Sequence, residues 1–269
     1  ASSVGYITAF LIYITLFIYG VMVMRGVMEE KTSRIAEVIV SSVKPFQLMM
    51  GKIIGIGAVG LTQFLIWIVL ISIISSVFTS LIPSDVMQQV QQAQHQVPGS
   101  VQQNSEAMQA FAGAQAALTS INWGLVIICF IFYFLGGYLF YAALFAAVGS
   151  AVNEDAQDAQ SLTFPITLPI IFAILIMVNA INDPGGSLAT WSSIVPFFSP
   201  IVMMSRIPFG VPDTVSYLQL ASSMILLVIG FLFTTWLSAK IYRTGILLYG
   251  KKPSWKEMIK WLRRDYAAL

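Results

Sequence analysis

The chain has 269 residues, of which 57% are hydrophobic and 10% charged, and its mean hydropathy is +0.81. Soluble domains carry about a quarter charged residues, so this composition excludes an ordinary water-soluble enzyme and points to an integral membrane protein. A net charge of +2 argues against a nucleic-acid partner, and the lone Cys129 and lone His95 exclude a disulfide framework or a multi-Cys or multi-His metal site.

A helix needs roughly 20 apolar residues to cross the hydrocarbon core, and a charge at its centre costs about 2.5–3.5 kcal/mol. Residues 4–24, 53–82, 121–152, 159–182 and 214–239 satisfy both conditions. The expected fold is an all-α polytopic membrane protein with these five spans.

The first span ends at Arg25. Residues 27–42 read as one amphipathic helix at the cytoplasmic surface. Val27, Ile35, Val38 and Ile39 fall largely on one side, and Glu30, Arg34 and Glu37 follow one another at four- and three-residue spacing on another. Such a helix suits docking to a cytoplasmic partner. An ordinary juxtamembrane helix with weak surface ion pairs fits the pattern equally well. Pro45 ends the segment, and Gly51-Lys52 opens the second span. There Gly51 and Gly55 form a small-xxx-small pair suited to close helix contact, with Gln63 at membrane depth.

Residues 83–120 contain no Lys or Arg, are rich in Gln and break at Pro98-Gly99, which predicts an extracytoplasmic excursion with a short surface helix over 105–118. His95 lies there without a second His, Cys or acidic cluster and reads as a solvated side chain rather than a sensor or ligand. The third span carries Gly136-Gly137, which thin it for helix contact. Asn153-Glu154-Asp155 reads as a helix start whose acids complement the dipole. In the fourth span, Pro165 and Pro169 predict a kink, and Thr163 and Asn179 place polar groups at depth.

The stretch 184–205 lacks charge but carries Gly185, Gly186, Pro196 and Pro200, which interrupt helices. Charge parity decides its reading. Five Lys/Arg lie between Arg25 and Lys52, eight lie from Lys240 onward, and the remaining one is Arg206. Four spans between the two blocks put both on the cytoplasmic side, whereas a fifth would violate the positive-inside rule. Residues 184–212 are therefore expected to form a re-entrant hairpin on the outer side. The C-terminus is then cytoplasmic and the first residue extracytoplasmic, which implies a further span upstream. In the basic tail, 240–269, Trp255, Met258, Ile259 and Leu262 define the apolar face of an interfacial helix.

No Gly-x-x-x-x-Gly-Lys-Ser/Thr loop is present, nor HExxH or GxSxG. The run Glu30-Lys31-Thr32-Ser33-Arg34-Ile35-Ala36-Glu37-Val38-Ile39-Val40-Ser41-Ser42-Val43-Lys44-Pro45, followed by Leu48 and Gly51-Lys52, resembles the coupling-helix signature of type-2 ATP-binding-cassette (ABC-2) permeases, more narrowly the NatB-like branch. The outer run from Val195 through Met203 with Arg206 is similar to that family's re-entrant segment. The resemblance covers the whole chain but lacks the family's first span and its large extracytoplasmic domain. It implies a non-enzymatic exporter subunit of the cell membrane that pairs with a second permease copy and couples to separate ATPase subunits holding ATP and Mg. Glu29, Glu30, Arg34 and Glu37 become coupling positions, Pro196, Pro200 and Arg206 hairpin positions, and Gln63 and Asn179 intramembrane polar candidates. Substrate stays open, with sodium or a small toxic or lipidic compound as the expectation. No catalytic, cofactor or metal residue is expected on the chain itself.

A rival pattern overlaps the same motif. Glu29-Glu30-Lys31-Thr32-Ser33-Arg34 fits the EExxxR signature of CAAX-type intramembrane proteases, but those enzymes also need histidines on later spans, and His95 lies in the outer loop. A channel or scaffold without an ATPase requires only the spans.

Overall fold

The structure, a computed structural model, describes residues 1–40, 42–81, 121–152, 156–248 and 254–262. The Gln-rich stretch with His95 and the 105–118 helix, the Asn153-Glu154-Asp155 start, and Lys251, Lys252, Arg263 and Arg264 lie outside the described residues. Every regular element among the described residues is helical: α1 Ser2–Thr32, α2 Ile35–Val40, α3 Pro45–Leu81, α4 Trp123–Ala151, α5 Ala156–Asn182, α6 Ser187–Ser192, α7 Ser199–Arg206, a 3-10 turn Ile207–Phe209, α8 Tyr217–Gly245 and α9 Trp255–Leu262. Five of these, α1, α3, α4, α5 and α8, are long and apolar enough to cross a membrane. The chain is an all-helical polytopic membrane protein.

The core is organised around α4, which packs between α1 and α8. Lipid tails are as apolar as leucine, so helices in a bilayer associate through close packing rather than water exclusion. That favours small residues where helices meet, and α4 supplies Ala142, Ala143, Ala146, Ala147 and Gly149, all buried. A Cβ on Gly149 would stand 2.6 Å from the Met24 carbonyl oxygen, and one on Gly137 would meet Pro200 at 2.9 Å. A Cβ on Gly51 or Gly55 would meet no other part of the protein within 4 Å. The close approach expected at that pair is found instead where α1 and α7 meet α4. Gly149→Ala is therefore expected to push α1 from α4 at a cost of about 1–3 kcal/mol, lowering the melting temperature in detergent. Gly51→Ala should leave it unchanged or raised.

The expected 27–42 helix is divided. The span helix α1 runs on through Thr32, the chain turns at Ser33 and Arg34, and α2 is six residues long. At the end of α1, Thr32 Oγ1 donates to the Met28 carbonyl at 2.8 Å and Ser33 Oγ to the Glu29 carbonyl at 2.7 Å. Arg34 then adopts φ +57°, a left-handed conformation that no continuing helix accommodates.

Between α5 and α8, no element has the length to span. All eight residues of α7 are buried, and it packs against α1, α4 and α5. At the C-terminal end, α9 lies on α8 with Met258 and Trp261 buried, while Trp255 and Ile259 face outward. The expected apolar face of Trp255, Met258, Ile259 and Leu262 is thus split by packing against the protein's own last span.

Candidate functional site

Two polar centres organise the molecule, one at each end of α1. At the end carrying the EK motif, successive residues face different helices. Glu30 Oε1 forms an ion pair with Lys52 Nζ of α3 at 2.6 Å, and Lys52 also donates to the Gly26 carbonyl at 2.5 Å. The two charged side chains are only 23% and 15% exposed. Lys31 turns the other way and is fully buried, donating to the Ser150 carbonyl at 2.7 Å and the Ala151 carbonyl at 3.4 Å. It thereby satisfies carbonyls of the last turn of α4, which have no partners inside that helix. Tyr242 of α8 is buried within electrostatic reach of Glu30. One turn of α1 thus binds α3 through Glu30 and α4 through Lys31.

Beside this junction opens a cavity of about 740 Å³ whose lining includes Arg25, Glu29, Glu30, Ser33, Ile35 and Lys52. Glu29, Arg34 and Glu37 are exposed. The helical spacing that would have placed Glu30, Arg34 and Glu37 on one face is lost at the Ser33–Arg34 turn. Glu30's ionic partner comes from α3, twenty-two positions further along the chain. On α2, Ala36 is buried while Ile35 is 50% and Val38 72% exposed, so the short helix presents apolar and charged groups together.

At the other end, Arg206 is completely buried. Its guanidinium donates to the Pro184 carbonyl (2.7 Å), Ser193 Oγ (2.6 Å), Thr190 Oγ1 (3.3 Å), the Thr214 carbonyl (3.4 Å) and Gln219 Oε1 (3.3 Å). Burial lowers its pKa from the ordinary value. All five acceptors are neutral, and they come from α6, from α8 and from the stretches before and between them. Tyr133 of α4 donates to Ser223 Oγ of α8 at 3.0 Å, and Ser223 donates to the Ser193 carbonyl at 2.7 Å. Tyr141 donates to the Phe197 carbonyl at 2.6 Å. The remaining hairpin positions pack on glycines: Pro196 on Gly230 of α8 and Pro200 on Gly137 of α4.

The intramembrane candidates separate. Gln63 Oε1 accepts from Tyr19 at 2.7 Å, tying α3 to α1. Asn179 is exposed on α5 and joins neither centre. Sequence reasoning missed Lys31, although it continues the buried stripe of Met24 and Val27 at helical spacing. It also missed Tyr133, Ser193 and Ser223, for which no local signal exists. Among the described residues, no group of three His, Cys, Asp or Glu is arranged to hold a metal ion.

Residues 1–240 match a family described as ABC-2 family transporter protein. The chain is 33% identical over 263 residues to the uncharacterized protein YhaP of Bacillus subtilis, covering 96% of this chain and 54% of that protein. It is 25% identical over 252 residues to the uncharacterized protein MJ1024 of Methanocaldococcus jannaschii, covering 93% of this chain and 51% of that protein. The chain therefore spans about half the length of these curated relatives. No solved structure matches it.

Proposed function

Because the chain belongs to the ABC-2 family of transporter membrane proteins, we propose that it is the permease subunit of an ATP-binding-cassette exporter, with ATP and Mg held by a separate ATPase chain. The observation that carries this reading is the α1–α2–α3 junction. Exposed Glu29 and Ile35 line a cavity, exposed Arg34 and Glu37 stand on the adjoining turn and on α2, and the end of α1 is tied into the bundle through Glu30–Lys52 and Lys31. A load applied to α2 passes into α1, from α1 into α3 by the ion pair, and into α4 by the buried lysine. That suits rigid-body tilting of the spans by a partner that closes on ATP.

The positive-inside rule supports a cytoplasmic position for this junction and for the tail, in a cell membrane. A second copy or a related permease would complete the pathway. The groove of about 570 Å³ between α1 and α5, lined by Phe17, Met24, Thr163 and Thr167 among others, supports that arrangement. The coupling-segment pattern supports the NatB-like branch, in which sodium or a small toxic or lipidic compound is the proposed cargo. The protease reading gains nothing from the site, since Glu30 is engaged by Lys52.

Purification of the full-length protein from native membranes tests the reading. An ATP-binding-cassette ATPase should accompany it, and Arg34→Glu with Glu37→Lys should reduce recovery at least about tenfold, the equivalent of 1.4 kcal/mol. Both positions are exposed, so the melting temperature should hold. A preparation free of ATPase, under conditions that preserve other membrane complexes, would count against coupling and favour a channel or scaffold.

A further inference from the structure

The outward face of α9 has no role in the coupling scheme, and its chemistry is distinctive. Met258 and Trp261 anchor the helix on α8, so its rotation about its own axis is determined by the protein and not by a surrounding surface. What faces away is Trp255 at 37% and Ile259 at 50% exposure, beside the exposed Lys256 and Lys260. Residues 255, 256, 259 and 260 form one contiguous stripe at helical spacing, with apolar and cationic groups side by side. From 240 to 269, eight Lys and Arg stand against two acids, Glu257 and Asp265. The span that α9 packs on carries a boundary signal of its own: toward the end of α8, the Lys240 ammonium sits 4.4 Å from the centre of the exposed Trp236 ring. An indole with an adjacent lysine is the pairing that marks the headgroup level of a span.

We infer that the Trp255–Lys256–Ile259–Lys260 face of α9 binds the headgroups of anionic phospholipids, with Trp255 and Ile259 seated at the acyl boundary and the two lysines on phosphate. Charge complementarity selects the occupant. A surface of zwitterionic lipid satisfies the apolar pair but gains little from the lysines, whereas an anionic surface engages both. Because α9 is held to α8, this contact would link inner-leaflet composition to the position of the last span. The inference depends on the membrane reading and is independent of the ATPase partner.

The test uses the full-length protein with Cys129→Ser and Ile259→Cys, labelled with bimane at 259 and reconstituted into nanodiscs. Brominated phosphatidylglycerol should quench the label more strongly than brominated phosphatidylcholine at equal mole fraction. Lys256→Gln and Lys260→Gln should each weaken the preference about fivefold, and 1 M salt should reduce it similarly. Both lysines are exposed, so neither change threatens folding. Equal quenching by the two lipids overturns the headgroup assignment. Quenching by neither overturns membrane contact altogether and turns the face toward a protein partner. Loss of the ATPase in the purification described above would leave all of these outcomes readable.

Discussion

Arg206→Met is expected to remove most of the folded protein from detergent extracts. The guanidinium satisfies five acceptors spread between Pro184 and Gln219, and it is fully buried. An apolar side chain of similar length fills part of the space but leaves those acceptors unpaired. Each neutral acceptor stranded in the interior costs about 1–3 kcal/mol, so losing several takes a large share of the roughly 5–15 kcal/mol that holds a typical protein folded. Arg206→Lys should recover only a minor part. An ammonium is a compact group with three donors, and it cannot reach acceptors on separate stretches that a planar fork bridges at once. The checks are the monodisperse fraction in size-exclusion chromatography, the melting temperature, and proteolysis between 184 and 219. A Met variant as stable as the parent would mean that packing of α7 alone holds the hairpin.

Lys52→Met is expected to be damaging at the α1–α3 junction, at about 3 kcal/mol. It leaves the Glu30 carboxylate largely buried without its cation, and the second oxygen of that carboxylate already has no hydrogen-bond partner. Exposure of 15–23% places the cost at the lower end of the range for a buried pair. Combining Lys52→Met with Glu30→Gln removes the stranded charge and should restore much of the stability, with a coupling energy of at least about 1 kcal/mol between the two sites. Under the proposed permease function, transport should not return with it, because the tie between α1 and α3 is still absent. Thermal melts of the four proteins of the cycle, read beside ATP-driven export, separate the two effects. Additive stabilities would show that the pair contributes no mutual energy. Restored export in the double variant would show that the tie does not carry the stroke.

The contrast between these two centres shows how much of the site was legible in advance. The EK motif, Arg34 and Glu37 were visible because a charged cluster between two apolar runs is conspicuous in a chain with so few charges. The partner of Glu30 was not visible, because spacing along one presumed helix suggested Arg34 and the turn after Thr32 removed that option. Arg206 stood out as the lone positive charge between the two basic blocks. Its acceptors did not, since they are neutral backbone and hydroxyl groups of the kind found throughout the chain. Gly51 and Gly55 had the spacing of a contact motif, yet contact occurs at Gly137 and Gly149.

The number of spans, the all-helical class and the grouping of positive charge follow from the sequence alone, because the energy of placing apolar residues in hydrocarbon and charges outside it is additive and local. The order in which helices touch, the face each turns inward and the partner each buried charge takes were decided by the tertiary structure. In a bilayer the lipid-facing and protein-facing sides of a helix are both apolar, so α3 presents Leu65, Ile66, Trp67 and Ile68 outward as readily as α4 buries Phe140 and Phe145. Hydrophobic periodicity, which orients helices in water, carries little information there. The choice passes to steric fit at small residues and to a few hydrogen bonds between residues far apart in the chain.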